Sequence, residues 1–431
     1  MSESAQVRGR PAGELRFRRS PLVWLSRAAT FGVAVALTAS LGIAPVSAST
    51  LRPAATTTAK VTLTELDYWT GQPENGAVTK LLDACATQIG NITISRTPVP
   101  EPQLLPTILR DAQSRTLPDL VAVDNPDLQE LASTGAFAPL TKVPTTGILS
   151  NVLAAGSYQG KLYGAAPGIN DLGLFYNKTM LAAAHITPPS TWAQLEADGK
   201  ALAHGSVAGV IFSANATEEG SWQFEPFFWT NGAHLSDLDS SAAIGALQYW
   251  VDLVQSGAAP RSVVNYSQAD VSDQFTALHA AMMVNGSWML DYLPSTIKYG
   301  VVPIPVPRAG VSPVSPMGGE MWAVPQTSPA TEAAAQAMVG CLMSGPRMLQ
   351  WDVLNSYMPT NPVLNSSFIA KESPLINVFV NEAKTARSRT ADGGLNYPKI
   401  SSALWTAIGQ ALSGRETAKA ALTQAQNSLS S

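Results

Sequence analysis

The order in which short apolar segments and helical segments alternate constrains this chain more than any single residue. VTLTELDYW (61–69) alternates apolar and polar side chains, the period of a half-buried strand. A helix is predicted at 79–88, a strand at NITIS (91–95), a helix at 103–115, and a short apolar strand, PDLVAVD (118–124), that ends in a carboxylate. DLQELASTG then reads as a helix stopped by Gly135. Strand and helix in strict alternation call for a parallel sheet covered on both faces. The rhythm returns with different spacing: strands at GLFYN (173–177), GVIFS (209–213) and AAMMVN (280–285), an extended Pro-broken stretch at 299–307, and helices from Thr191 to Ala203, Ser240 to Gln255 and Ser328 to Met343. The C-terminal part is almost all helix, at 345–355, 374–386, 401–413 and 416–429, with Gly414 as a cap between the last two. The expected architecture is two α/β lobes with a helical C-terminal region.

Residues 1–27 are polar and Arg-rich, Ala28 to Ala48 carry no charge, and Val46-Ser47-Ala48 is a small-x-small cleavage pattern. That is the layout of an export signal, and cleavage after about Ala48 is expected. The alternative is a membrane anchor, because the uncharged run is about long enough to span a bilayer. Its wealth of Ala, Ser, Thr and Gly and its terminal processing site favour removal. Arg18-Arg19 is a fragment of a twin-arginine pattern, but Ser20-Pro21 stands where an apolar pair is needed, so the export route stays open. No Cys lies near the cleavage site, which argues against a lipid anchor. Residues 49–60 (STLRPAATTTAK) read as a linker. The first 48 residues hold six Arg and two Glu, which leaves 21 basic and 29 acidic side chains on the rest, a net charge of −8. A body that acidic is a poor nucleic-acid binder. With four His and two Cys, a zinc site of Cys and His is not expected, and neither is any cofactor. Export would place Cys85 and Cys341 where a disulfide can persist, though sequence alone does not decide their geometry.

Nucleophile elbows, P-loops and dinucleotide fingerprints are missing: GSYQG (156–160) puts its Ser in the wrong place, and Gly318-Gly319 is a lone pair. Glu218-Glu219 reads best as a solvated loop, because adjacent carboxylates rarely converge on one scissile bond. No catalytic or metal-ligating set emerges. Aromatic residues instead stand beside polar ones at element ends. Tyr68-Trp69 closes the first strand, Trp222 and Trp229 flank Glu225, Trp288 follows Asn285-Gly286-Ser287, and Trp322 follows Gly318-Gly319-Glu320. A flat indole packs on the C–H face of a sugar ring while carboxylates and amides bond its hydroxyl rim. Any one Trp is by default a core residue. The group at strand exits is more telling, because open α/β sheets bind ligands there.

YQGKLYGAAPGINDLGLFYNKTML (158–181) and ITPPSTWAQL (186–195) resemble the solute-binding proteins of carbohydrate-importing ABC transporters, the maltose-binding-protein-like group, family 1. PDLVAVDNPDLQELASTGAFAPL (118–140), FTALHAAMMVNGSW (275–288) and MGGEMWAVP to YMPTN (317–361) agree in order and spacing. The resemblance implies a two-lobed periplasmic-binding-protein fold of type II, with lobes joined by crossover strands near 165–172, 312–318 and 362–370. Residues 61–168 with 318–362 would form the first lobe, and 169–317 with 363–431 the second. Both cysteines would then lie in first-lobe helices. A Cys85–Cys341 bond is consistent with that placement, and so are two buried free thiols.

The resemblance also carries ligand contacts. Asp124 and Asn125 resemble rim contacts of the first lobe, and Asn170 and Asp171 sit at the first crossover. Trp222 and Trp288 occupy stacking positions, while Gly318 and Gly319 let backbone N–H groups approach a sugar. Trp69, Tyr266, Glu320, Trp322, Tyr357, Arg389 and Tyr397 are further candidates. Many relatives carry Arg after the closing P-T, whereas Asn361 stands here, so sugar identity does not transfer. The implied function is a non-enzymatic, extracytoplasmic receptor. It would bind a di- or short oligosaccharide by hinge closure as a monomer, and pass it to ABC permease subunits. The alternatives are the same fold binding a polyol or glycerophosphodiester, and a secreted carbohydrate-active enzyme.

Overall fold

The computed structural model describes residues 60–429, Pro73 excepted. The expected export signal and nearly all of the expected linker therefore lie outside the described residues. Two separate sheets organise the chain. The first has the order Ile92–Arg96, Val61–Leu66, Leu120–Asp124, Glu320–Ala323, Gly164–Ala165. Its first three strands run parallel, and Glu320–Ala323 is antiparallel to both of its neighbours. The second has the order Tyr299–Val302, Leu172–Asn177, Ala280–Gly286, Ala208–Ile211, with only the last pair parallel.

Side-chain alternation explains how each sheet is covered. Leu63, Leu120 and Ala122 face the helices Glu74–Ile89 and Pro329–Leu342, while Leu66, Val121 and Val123 face the helix Glu101–Ser114. Leu120–Val123 is buried on both faces and so reads as an unbroken apolar run. In the second sheet Leu172, Leu174, Met282 and Val284 face the helices Glu218–Thr230, Ser241–Gln255, Tyr397–Leu412 and Ala418–Leu429. Phe175 and Met283 face the other way, onto Phe379 of the helix Ile376–Ala383. One apolar cluster runs from Val121 and Val123 through Ile169, Met317 and Met358 to Phe175 and Met283, so the two sheets share a core beneath their junction.

The chain passes between the sheets in a ladder of short segments. Gly168–Ile169 pairs antiparallel with Met358–Pro359. Asn170 and Gly318 exchange both backbone hydrogen bonds, at 3.2 and 2.8 Å. Pro316 lies parallel to Arg387, whose N–H donates to Ser315 O at 2.9 Å.

Helix starts follow their caps. Thr191 and Gln194 form a capping box for Trp192–Leu202, and Ser240 and Ser328 accept from Ala243 N and Thr331 N. The helix expected at 79–88 starts at Glu74 and the one expected at 401–413 starts at Tyr397, and two further departures bear on the site. The first strand ends at Leu66 rather than Trp69, because the Asp67 carboxylate accepts from Trp69 N at 2.9 Å and turns the chain. Glu218-Glu219 is not a solvated loop but the first turn of the helix Glu218–Thr230, whose Gly220 to Trp229 are all buried. That helix is buried all round, Ser221, Gln223 and Glu225 included, and contains Pro226, so neither amphipathic period nor breaker-free sequence announces it. Cys85 and Cys341 are disulfide-bonded, with Cα atoms 5.8 Å apart, and tie together two helices of the first sheet.

Candidate functional site

A cavity of about 530 Å³ opens between the sheets, within the range of small-ligand sites. Its wall comes from strand exits and the loops after them. Asp124 ends the first sheet's central strand, Glu320 is its neighbour in register, and Trp69 lies just past Leu66. Trp288 follows the end of Ala280–Gly286, and Glu218 and Trp222 belong to the helix after Ala208–Ile211. Asn170, Gly318, Gly319 and Arg389 come from the crossing ladder.

Arg389 joins the two sides. Only 2% of its side chain is exposed. Its guanidinium donates to Asp124 at 2.9 and 3.1 Å and to Glu218 at 2.7 Å. It also lies over the Trp222 ring at 4.5 Å and faces the Tyr397 ring at 5.7 Å. Burial pulls the Arg389 pKa down, but the charges of Asp124, Tyr397 and Glu218 outweigh it and hold the group firmly cationic. The Tyr397 hydroxyl lies 2.6 Å from Glu218 and 2.9 Å from Glu225, and Ser401 donates to the second Glu218 oxygen.

On the first-sheet side Tyr68 donates to Glu320 Oε1, and the Tyr357 hydroxyl donates to the same oxygen at 3.2 Å. Burial and then the Asp124 charge push Glu320 up to about 7, against the hydrogen bonds from the two tyrosines. Trp69 stacks on Tyr68 at 4.7 Å and meets Trp351 edge-on at 5.0 Å, which fixes its ring in the wall.

Gly318 permits the close approach of the two sides. A Cβ there would stand 2.1 Å from Asn170 Oδ1 and 2.6 Å from the Trp222 ring. Gly319 takes φ +105°, which only glycine adopts without strain.

Ten expected residues therefore line one cavity: Trp69, Asp124, Asn170, Trp222, Trp288, Gly318, Gly319, Glu320, Tyr357 and Arg389. Four do not, and their expected contact role is corrected by the geometry. Asn125 turns inward and donates to Met317 O and Gly319 O at 3.2 and 3.0 Å, so it braces the ladder. Asp171, next to Asn170 but facing the opposite way, is fully buried off the cavity wall. Tyr266 lines a different cavity and accepts from Ser262 at 2.8 Å. Trp322 lies two residues deeper along its strand than Glu320 and packs between Trp69 and Trp351. Tyr397 acts behind the wall, on Glu218.

The sequence reading missed a set of carboxylates. Glu101, Asp127, Glu218 and Glu219 all line the cavity, each in the first turn of an α- or 3-10 helix that follows a strand. Negative charge is favoured there by about 0.3–1 kcal/mol through the backbone dipoles. Their signal was positional: each lies where an α/β sheet exposes its strand exits. Burial, then Glu219, Asp124 and Glu218, push Glu101 up to about 7. Burial, then Asp124 and Glu218, raise Asp127 well above the usual carboxylate range. Among the described residues no three of His, Cys, Asp or Glu are grouped to hold a metal ion, and no helix is long and apolar enough to cross a membrane.

Two sheets, a pleated ladder between them and a cavity lined from both define a two-lobed binding-protein fold. Residues 80–376, more than half of the sequence, match the family described as bacterial extracellular solute-binding protein, and the chain belongs to it. That is a family of receptors, not of enzymes. A maltooligosaccharide ABC transporter solute-binding lipoprotein of Streptococcus pneumoniae is 23% identical over 341 residues, 73% of this chain and 76% of its own. The cyclic alpha-maltosyl-1,6-maltose binding protein of Arthrobacter globiformis superposes with a TM-score of 0.72 at 25% identity, covering 86% of this chain and 99% of the other. Maltose-bound MalE3 of T. maritima gives 0.78 at 20%, over 86% and 99%. UgpB of Mycobacterium tuberculosis, in complex with glycerophosphocholine, gives 0.74 at 18%, over 84% and 97%.

Proposed function

We propose that this protein is the receptor of a carbohydrate ABC importer and holds a di- or short oligosaccharide in the cavity between its sheets. The observation that carries this reading is the pairing of indoles with polar groups on both walls: Trp69 with Asp124 and Glu320 on one, Trp222 and Trp288 with Glu218 on the other. A neutral hydrogen bond to a hydroxyl adds only about 0.5–1.5 kcal/mol net. Affinity then comes from many such bonds together with ring stacking. Because the guest touches both walls, it binds the closed arrangement better than an open one and shifts the population toward it. Residues 61–168 with 318–362 move against 169–317 with 363–431, and the closed monomer is what the membrane permease reads. The N-terminal segment directs export and is removed after about Ala48.

A phosphodiester guest is disfavoured, because among the described residues Arg389 is the one basic side chain on the wall and is already paired twice. A thermal-shift screen over monosaccharides, disaccharides, alditols and glycerophosphocholine tests the reading. A saccharide giving the largest rise in melting temperature supports it. A rise with glycerophosphocholine or an alditol and none with any saccharide would overturn it.

A further inference from the structure

A second polar contact joins the two walls, at the mouth of the cavity. Ser356 closes the helix Gly345–Asn355, whose Met348 and Trp351 belong to the apolar core of the first sheet. Asp291 lies in the short helix Met289–Tyr292, just past the end of the second-sheet strand Ala280–Gly286. Glu372 leads into the helix Ile376–Ala383, whose Phe379 packs on Phe175 of the second sheet. The Ser356 hydroxyl stands 2.8 Å from Asp291 Oδ2 and 3.2 Å from Glu372 Oε2. A hydroxyl has one hydrogen to give and lone pairs to receive with. It can donate to only one of two carboxylates, so the other contact is favourable only when that carboxyl carries a proton and donates.

The surroundings say which one carries it. Asp291 is exposed at the cavity mouth, whereas Glu372 is half-buried. Burial and then the Asp291 charge push Glu372 up to about 7, against the hydrogen bond from Ser356. The groups that face the pair are acidic or phenolic. Glu74 faces Asp291 and Asp352 faces Glu372 from helices of the first sheet, and Tyr292 and Tyr299 face Asp291 from its own side. Among the described residues none of these carboxylates pairs with a basic side chain, and Lys371, next to Glu372 in sequence, forms no ion pair with it.

We propose that Ser356 is the centre of a proton-dependent latch between the two walls: protonated Glu372 donates to its hydroxyl, the hydroxyl donates to the Asp291 carboxylate, and loss of the Glu372 proton breaks the chain. The closed form binds that proton more tightly than an open one. The latch is therefore complete below the ordinary carboxylate range and is lost as pH rises through about 7. Neither Ser356 nor Glu372 lines the cavity, so the latch acts on closure and not on contact with the guest. The proposal rests on the hinge-closing reading above and is independent of the guest's chemical class.

The test uses the full mature chain with spin labels at Lys80→Cys on a first-sheet helix and Lys298→Cys beside the second sheet, both exposed positions, with the Cys85–Cys341 bond left intact. The distance between the labels is measured between about pH 5 and about pH 8, without guest and with the compound that gives the largest rise in melting temperature. The closed fraction should fall as pH rises, and guest affinity should fall with it. Glu101 and Glu320 on the wall titrate in the same range, so the comparison that decides is with Glu372→Gln. Its amide donates at any pH, so this variant should keep the closed fraction of low pH throughout, and its affinity should fall about threefold less, or better, than that of the wild type. Ser356→Ala should show the closed fraction of high pH throughout, with thermal unfolding to confirm that both variants fold. The same pH course in the wild type and Glu372→Gln overturns the latch. So does a Ser356→Ala variant that closes as fully as the wild type at low pH. A guest that binds without shortening the distance overturns the hinge-closing reading itself.

Discussion

Glu320 shows how one side chain ties burial to chemistry. Its strand places it opposite Asp124 at the cavity end of the sheet. Two tyrosine hydroxyls hold one of its oxygens, and burial lifts its pKa from 4.5 to about 7. An acid whose pKa is raised on folding binds its proton more tightly in the native state. Its contribution is therefore complete below the unfolded value and is lost as pH rises from about 4.5 through 7. The unliganded protein should lose about 1–3 kcal/mol of stability between pH 5 and pH 8 through this group. Denaturant unfolding at several pH values, with Glu320→Gln alongside, checks it. The variant should lower the slope by that amount, the remainder coming from other raised carboxylates such as Glu101, and an unchanged slope would remove Glu320 as a source. Arg389 behaves differently. It is buried but doubly paired, and a lysine in its place would not reproduce the fork that spans Asp124 and Glu218.

At the scale of elements, legibility followed local signals. Helices with Ser or Thr caps, such as Trp192–Leu202 and Ser241–Gln255, stood within a residue or two of their expected ends because the cap itself is written in the sequence. The helix Glu218–Thr230 was illegible because it is buried all round and carries an internal proline. That one omission hid Glu218, half of the Arg389 clasp. Adjacent candidates were separable only in coordinates: Asn170 faces the cavity and Asp171 does not, since neighbouring residues of an extended segment point to opposite sides. The two cysteines were likewise undecidable from spacing, because a pairing across 256 positions depends on how two helices lie. Reduction of Cys85–Cys341 should lower stability by about 2–4 kcal/mol, read as a drop in melting temperature. Ligand affinity should stay unchanged, because neither cysteine lines the cavity and the helix Glu74–Ile89 meets it at its first residue, eleven positions from Cys85. Lost affinity with an intact fold would show that the bond reaches the site.

The whole molecule places its cavity where two sheets, a shared apolar core and a short ladder meet. Helix first turns bring carboxylates to that place, strand exits bring indoles, and Gly318 lets the sides approach within contact. The central claim is that one guest touches both walls. Calorimetric affinity of the best saccharide for the wild type, for Trp69→Ala on the first wall and for Trp288→Ala on the second measures it most directly, with thermal unfolding to confirm that each variant folds. Affinity should fall about tenfold or more in both variants, in line with the roughly 1–3 kcal/mol lost when an aromatic contact is truncated in a desolvated site. Unchanged affinity in either one would mean that the guest rests on a single wall.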